Sequence, residues 1–233
     1  MPDITINCSD GQFDAYLALP TDDTSKGNGG ILVIQEIFGV NKDMRSHCDQ
    51  IAEKGYVALC PDLFWRQEPG IQLTDQSDTE WAKAFELYKG FNIDSGVTDL
   101  IITLEHLRHI DGCNGKVGTV GFCLGGFLAY KMAIESDADC NVSYYGVGIE
   151  DHLQQAEKIE KPTILHIAEE DSFVPKEAQL DINERLASNN QITIYNYAGV
   201  DHAFARNNGI HFDAAASKLA DERTMKCFSD YLE

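Results

Sequence analysis

Short apolar runs alternate with amphipathic stretches along nearly the whole chain, and nothing else in the sequence narrows the possible folds as much. A run of four to six apolar residues reads as a buried strand, whereas apolar residues three and four apart mark one face of a helix. The runs Ile31–Gln35, Val57–Cys60, Lys116–Phe122, Asn141–Tyr145, Thr163–Ala168 and Gln191–Tyr197 are strands on this reading. Helices are expected over Lys42–Lys54, capped by Asn41 and ended by Gly55, from Asp78 to Lys89, and from Asp94 to about His109. Three more follow: Leu124 to about Glu135, Lys176–Ala187 with Pro175 at a first helical position, and Phe212–Leu232. Ahead of all these, Asp10-Gly11 predicts a tight hairpin between Thr5–Cys8 and Phe13–Ala18, and Thr21–Gly30 reads as a loop. Strands alternating with helices imply a mostly parallel sheet covered by helices on both faces, hence an α/β class. No internal repeat and no Pro-rich or Ser-rich linker interrupts the pattern, so residues 1–233 are read as one domain.

Charge excludes one large class of function. The 233 residues carry 18 Lys plus Arg against 38 Asp plus Glu, a formal net charge of −20, which repels a phosphate backbone. No run of about 18 apolar residues is present, and the start has neither a basic nor an apolar segment of a secretory signal. Seven cysteines form an odd set with no C-x-x-C, which favours neither a disulfide framework nor a zinc ribbon. A cytoplasmic protein without nucleic-acid or membrane partners is expected. His106 and His109, three apart, lack a third ligand nearby and read as surface residues, so no metal is expected. No G-x-G-x-x-G opens a first β-α unit, and Gly115-Lys116 is followed by Val, so no nucleotide cofactor is expected either.

The chemistry concentrates in Thr119-Val-Gly-Phe-Cys-Leu-Gly-Gly126, where a G-x-C-x-G sequence joins a strand to a helix. This is the pattern of a nucleophile elbow with Cys123 in the nucleophile's place. Alone, it fits a packed turn with an inert thiol equally well. A nucleophile on such a sheet needs an acid and a His from later strand ends, in that order. Asp171 lies just past Thr163–Ala168 and His202 just past Gln191–Tyr197, each where open α/β sheets place their ligand sites. Glu169 and Glu170 are adjacent carboxylates, and Asp171 is preferred for its position before Val174-Pro175. His202 would take the Cys123 proton while Asp171 fixes the imidazole. The peptide N–H groups of Leu124 and Ile37 are the expected oxyanion hole. Glu36, at the end of a buried strand, needs a partner and is expected near the thiol.

Five blocks, Gln35–Gly39, Gly121–Gly126, Tyr144–Gly148, Asp171–Pro175 and His202–Arg206, together resemble the dienelactone hydrolase family, in order and over almost the whole chain. The resemblance implies a monomeric α/β-hydrolase with a Cys-His-Asp triad that opens a dienelactone to maleylacetate without a cofactor. It also implies that Glu36 pairs with the thiol at rest and helps to form the thiolate when substrate arrives. Members acting on dienelactone hold the substrate carboxylate with two arginines. Only Arg206 is matched here, and Trp81 stands in the other place, with Lys83 pointing about 200° away along the helix. Ala203 follows His202 where such members carry Ser. Both changes make the pocket less polar and leave open a different, less anionic ester or lactone. Phe38, Trp65, Trp81 and Tyr145 are candidate pocket walls. A reading from another class, a redox-sensing or non-catalytic thiol protein on the same scaffold, also remains open.

Overall fold

The computed structural model describes residues 3–21 and 28–233, so most of the expected loop Thr21–Gly30 lies outside the described residues. Eight strands form one sheet: β1 (Asp3–Cys8), β2 (Gly11–Ala18), β3 (Gly30–Ile34), β4 (Val57–Pro61), β5 (Val117–Phe122), β6 (Cys140–Tyr144), β7 (Thr163–Ala168) and β8 (Ile192–Tyr197). Six helices join them: α1 (Lys42–Glu53), α2 (Asp78–Gly90), α3 (Ile93–Arg108), α4 (Leu124–Glu135), α5 (Lys176–Leu186) and α6 (Ala214–Leu232). The spatial order is β1-β2-β4-β3-β5-β6-β7-β8, antiparallel between β1, β2 and β4 and parallel from β4 through β8. All residues of β3, β4, β5, β6 and β7 are buried, as a parallel sheet covered on both faces requires. This is the expected α/β-hydrolase arrangement.

The order fixes where a site can form. From β3 the chain crosses to β4 on one side, then returns past β3 to lay down β5 on the other. The loops leaving β3 and β5 therefore diverge, and a crevice opens at the carboxyl ends of these two neighbours. Ile37 and Cys123 stand at these two strand ends.

Several local expectations need correction. The hairpin pairs Cys8 with Gly11, so Ser9 and Asp10 make the turn, and Gly11 has no positive φ. Its lack of a side chain serves packing instead, since a Cβ there would lie 2.8 Å from the Trp65 ring. Helix α2 is capped by Ser77, whose hydroxyl accepts from the Glu80 N–H, and α3 by Asn92, not by Asp78 and Asp94. Pro175 is the cap of α5, one position earlier than expected. A ten-residue 3₁₀ segment, Ile149–Lys158, went unanticipated because its apolar residues are few and follow a left-handed Gly148.

Candidate active site

Strand β5 and helix α4 meet at a turn that only glycine permits on either side of Cys123. A Cβ on Gly121 would lie 1.9 Å from the Gly125 carbonyl oxygen, and one on Gly125 would lie 2.2 Å from that of Ile34. Between them Cys123 holds φ 56° and ψ −115°, a strained conformation for a residue with a side chain. Its N–H donates to the Tyr144 carbonyl (3.1 Å) and its carbonyl accepts from Phe127 (3.1 Å), so the strain is held from both ends. The thiol projects at the N-terminus of α4, and Leu124 carries one of the first-turn amides that no intrahelical carbonyl can satisfy.

Asp171 and His202 come together from the ends of β7 and β8. Asp171 Oδ2 lies 2.8 Å from His202 Nδ1, and Asp171 Oδ1 accepts from the N–H groups of Phe173 (2.8 Å) and Val174 (3.2 Å). The carboxylate is thus fixed by backbone donors before it meets the ring. The His202 ring sits edge to face with Tyr145 (5.0 Å) and Phe173 (4.8 Å), and it is 3% exposed. Nε2 has no well-formed hydrogen bond among the described residues and is turned to the Cys123 side of the site. Burial disfavours the imidazolium, yet the neighbouring Cys123 sulfur and Asp171 outweigh it, and the His202 pKa is pushed up to about 10.

Beside this dyad lies a buried ion cluster. Arg206 donates from Nε to Glu36 Oε2 (2.7 Å), from Nη2 to Glu36 Oε1 (3.0 Å) and from Nη1 to Asp75 Oδ2 (2.6 Å). Its guanidinium also lies 4.9 Å from the Phe38 ring centre. This corrects the expectation that Glu36 rests on the thiol: both its oxygens are taken by a two-pronged cation, a far stronger partner than a neutral S–H. Arg206 lines the same cavity as Cys123 and His202, and Glu36 and Asp75 take three of its five N–H donors. Asp75 went unnoticed in the sequence; it sits in a polar loop, Thr74-Asp-Gln-Ser-Asp78, that reads as surface.

Cys123, His202 and Arg206 open into a small cavity of about 50 Å³ walled by Ile37, Phe38, Trp81, Phe85, Tyr88, Leu124, Val147 and Phe173. Trp81, Phe85 and Tyr88 are spaced i, i+4, i+7 and so share one face of α2, a spacing that was legible in the sequence. Trp81 meets Phe38 edge to face (5.0 Å) and stacks with Phe85 (5.4 Å), while its indole N–H donates to the Asp75 carbonyl (3.1 Å). Two expected wall residues do not reach this cavity. Tyr145 is buried against Phe122, His202 and Phe204, its N–H tied to the His166 carbonyl, and Trp65 packs on Phe13 with its indole N–H on Asp99. Lys83 bonds Glu68 (2.8 Å), away from the cavity. His106 and His109 are exposed on α3.

The chain and its architecture have clear relatives. The sequence profile described as the dienelactone hydrolase family matches residues 13–232. A protein of Azospirillum brasilense, provisionally named a carboxymethylenebutenolidase, is 46% identical over 237 residues, covering 100% of both chains. Carboxymethylenebutenolidase 1 of Cupriavidus pinatubonensis is 37% identical, covering 94% of this chain and 92% of its own. A crystal structure from Klebsiella pneumoniae, provisionally named a dienelactone hydrolase, superposes with a TM-score of 0.85 at 23% identity, covering 99% of this chain and 98% of that one. The chain is a hydrolase that belongs to the dienelactone hydrolase family.

Proposed function

We propose that this hydrolase opens a lactone, or cleaves a related carboxylic ester, through a thioester on Cys123. The observation that carries the reading is the Asp171–His202 pair, 2.8 Å apart, placed beside a thiol at a strained strand-to-helix turn. His202 takes the thiol proton, Asp171 holds Nδ1 and the resulting charge, and the sulfur attacks the carbonyl carbon. The tetrahedral oxyanion is received by the Leu124 and Ile37 N–H groups. Collapse breaks the carbon–oxygen bond, and His202 returns the proton to the leaving oxygen, which in a lactone stays tethered to the acyl chain. Water, losing a proton to His202, then attacks the thioester and releases the acid and the free thiol. The relatives named carboxymethylenebutenolidase support a lactone as the substrate class. A second reading, the same chemistry on a less anionic ester, is supported by Trp81 and the apolar walls. We also read the chain as a cytoplasmic monomer acting on a small molecule; no described helix is long and apolar enough to cross a membrane.

The test is hydrolysis of cis- and trans-dienelactone followed by ultraviolet loss, with Cys123→Ala as the blank. Loss of absorbance that depends on Cys123 supports the reading. Equal rates with the Cys123→Ala variant overturn it, whereas a peroxide-reactive thiol with no turnover of any ester favours the redox-sensing or non-catalytic alternative.

A further inference from the structure

Away from Cys123, free cysteines meet in two pairs, each joining a helix to a strand: Cys48 of α1 with Cys60 of β4, and Cys227 of α6 with Cys140 of β6, thiol against thiol in hydrogen-bond contact. The second pair is built into the sheet. Cys140 stands beside Gly118 in the β5–β6 register, and a Cβ on Gly118 would lie 2.8 Å from the Cys140 sulfur and 3.1 Å from Leu232 Cδ1, at the end of α6. The Cys140 sulfur therefore fills the space that a glycine leaves, on the face of the sheet that α6 covers. Cys227 is on the buried side of that helix with Thr224 and Phe228. Cα atoms of α6 and β6 come within 8 Å and the thiols are already in contact, so a bridge between them needs little backbone movement. The hydrogen bond Cys140 gives to Cys227, together with burial, holds the Cys140 thiol well above its ordinary range. The same bond, with Lys226 beside it, lowers the Cys227 thiol in spite of burial. One sulfur of the pair is thus nucleophilic and its neighbour protonated. Burial holds Cys48 well above the thiol range, and neither Cys48 nor Cys60 has any exposure, whereas Cys227 is 5% exposed.

We infer that Cys140 and Cys227 form a reversible oxidation site, distinct from Cys123, which a small hydroperoxide closes to a disulfide that braces α6 against β6. With hydrogen peroxide, the Cys227 sulfur attacks one oxygen and breaks the O–O bond, leaving a sulfenic acid and one water. The Cys140 sulfur then displaces the sulfenic hydroxyl, which leaves with the Cys140 proton as a second water, and the S–S bond forms. Two thiols have lost two electrons and two protons, and the peroxide has taken both. The chain closed by this bridge runs from β6 to α6 and carries Asp171 and His202, so the cross-link restricts the unfolded form of that whole segment.

The test is a peptide map of the folded full chain after treatment with hydrogen peroxide. Remaining thiols are alkylated in urea and the chain is digested with trypsin without reductant. Peptides 132–158 and 227–233 are expected to be joined through Cys140 and Cys227 and to separate with dithiothreitol. The bridged chain is expected to unfold at a urea midpoint about 1 M above the reduced one. Cys227→Ser removes that rise while keeping Cys123 and the methionines, so the effects of oxidation elsewhere are subtracted. Cys140 and Cys227 recovered alkylated, oxidised singly or joined to other cysteines overturn the inference, as does a bridged chain with no rise in midpoint. Should Cys227→Ser not fold, the wild-type map still decides.

Discussion

Cys123 pays for its place at the turn with backbone strain: a φ of 56° and ψ of −115° cost a side-chain-bearing residue on the order of 1–3 kcal/mol. Glycine at the same position escapes most of that cost, whereas alanine does not. Cys123→Gly is therefore expected to unfold at higher denaturant than Cys123→Ala, by about 1 kcal/mol, while both are inactive. Equal midpoints for the two variants in urea would show that the turn is relaxed. The charge state of the site gives a second expectation. His202 is held as imidazolium, so the favourable interaction is fully present below its unfolded value near 6.5 and is lost as pH rises through about 10. His202→Gln, which has no such proton to lose, is expected to lose less stability than the wild-type protein between pH 7 and 10, measured as urea midpoints. Parallel midpoint curves for the two proteins over that range would remove the His202 charge as the cause. Cys123, Asp171 and His202 were legible because a turn motif and two strand ends name them by position. Asp75 was not, because its partner is 131 residues away and its own loop has the composition of solvent-exposed chain.

Strands and helices are tied together by a second polar network, on β6, β7, β8 and α6. Arg223 donates to the Tyr197 hydroxyl (3.0 Å), which lies 2.8 Å from His166 Nδ1; His166 Nε2 lies 3.0 Å from Thr224 Oγ1, and Thr224 meets Tyr144, whose hydroxyl donates to Asp221 (3.0 Å). A neutral His166 satisfies both neighbours, accepting at one nitrogen and donating at the other. Burial, with Arg223 nearby, lowers its pKa to about 3. The unfolded chain binds the proton near pH 6.5 and the native chain resists it, so stability falls as pH drops from about 6.5 toward 3. His166→Gln, uncharged at all pH, is expected to be less stable at neutrality by about 1–3 kcal/mol and to lose less on acidification, measured as urea midpoints between pH 7 and 4.5. Parallel midpoint curves for the two proteins would remove His166 as the cause. None of this network was foreseen, since it joins side chains far apart in sequence on separate strands. The strands and helices themselves were foreseen, because apolar periodicity is local; cap residues slipped by one or two positions where Ser77-Asp78 and Asn92-Ile-Asp94 each offer more than one capping oxygen.

At the scale of the whole molecule the net charge of −20 sets the terms. Eighteen cations cannot neutralise 38 carboxylates, so most acidic side chains repel one another across the surface, and the compact state confines them more than the unfolded one does. Salt relieves this by shortening the screening length from about 30 Å at 0.01 M to about 3 Å at 1 M. Exposed pairs such as Lys226–Asp230 and Arg185–Asp181 lose attraction at the same time, but each contributes little. Repulsion is the larger effect here, so Tm is expected to rise by several degrees between 10 mM and 0.5 M NaCl. A protein of this size shifts by about 2–4 °C for each kcal/mol. Sodium chloride and sodium sulfate at equal ionic strength separate screening from the exclusion of sulfate from protein surface, because only the first depends on ionic strength alone. Equal rises in the two salts assign the effect to charge; a rise in sulfate with none in chloride assigns it to apolar burial and shows the surface carboxylates to be spaced widely enough not to strain the fold.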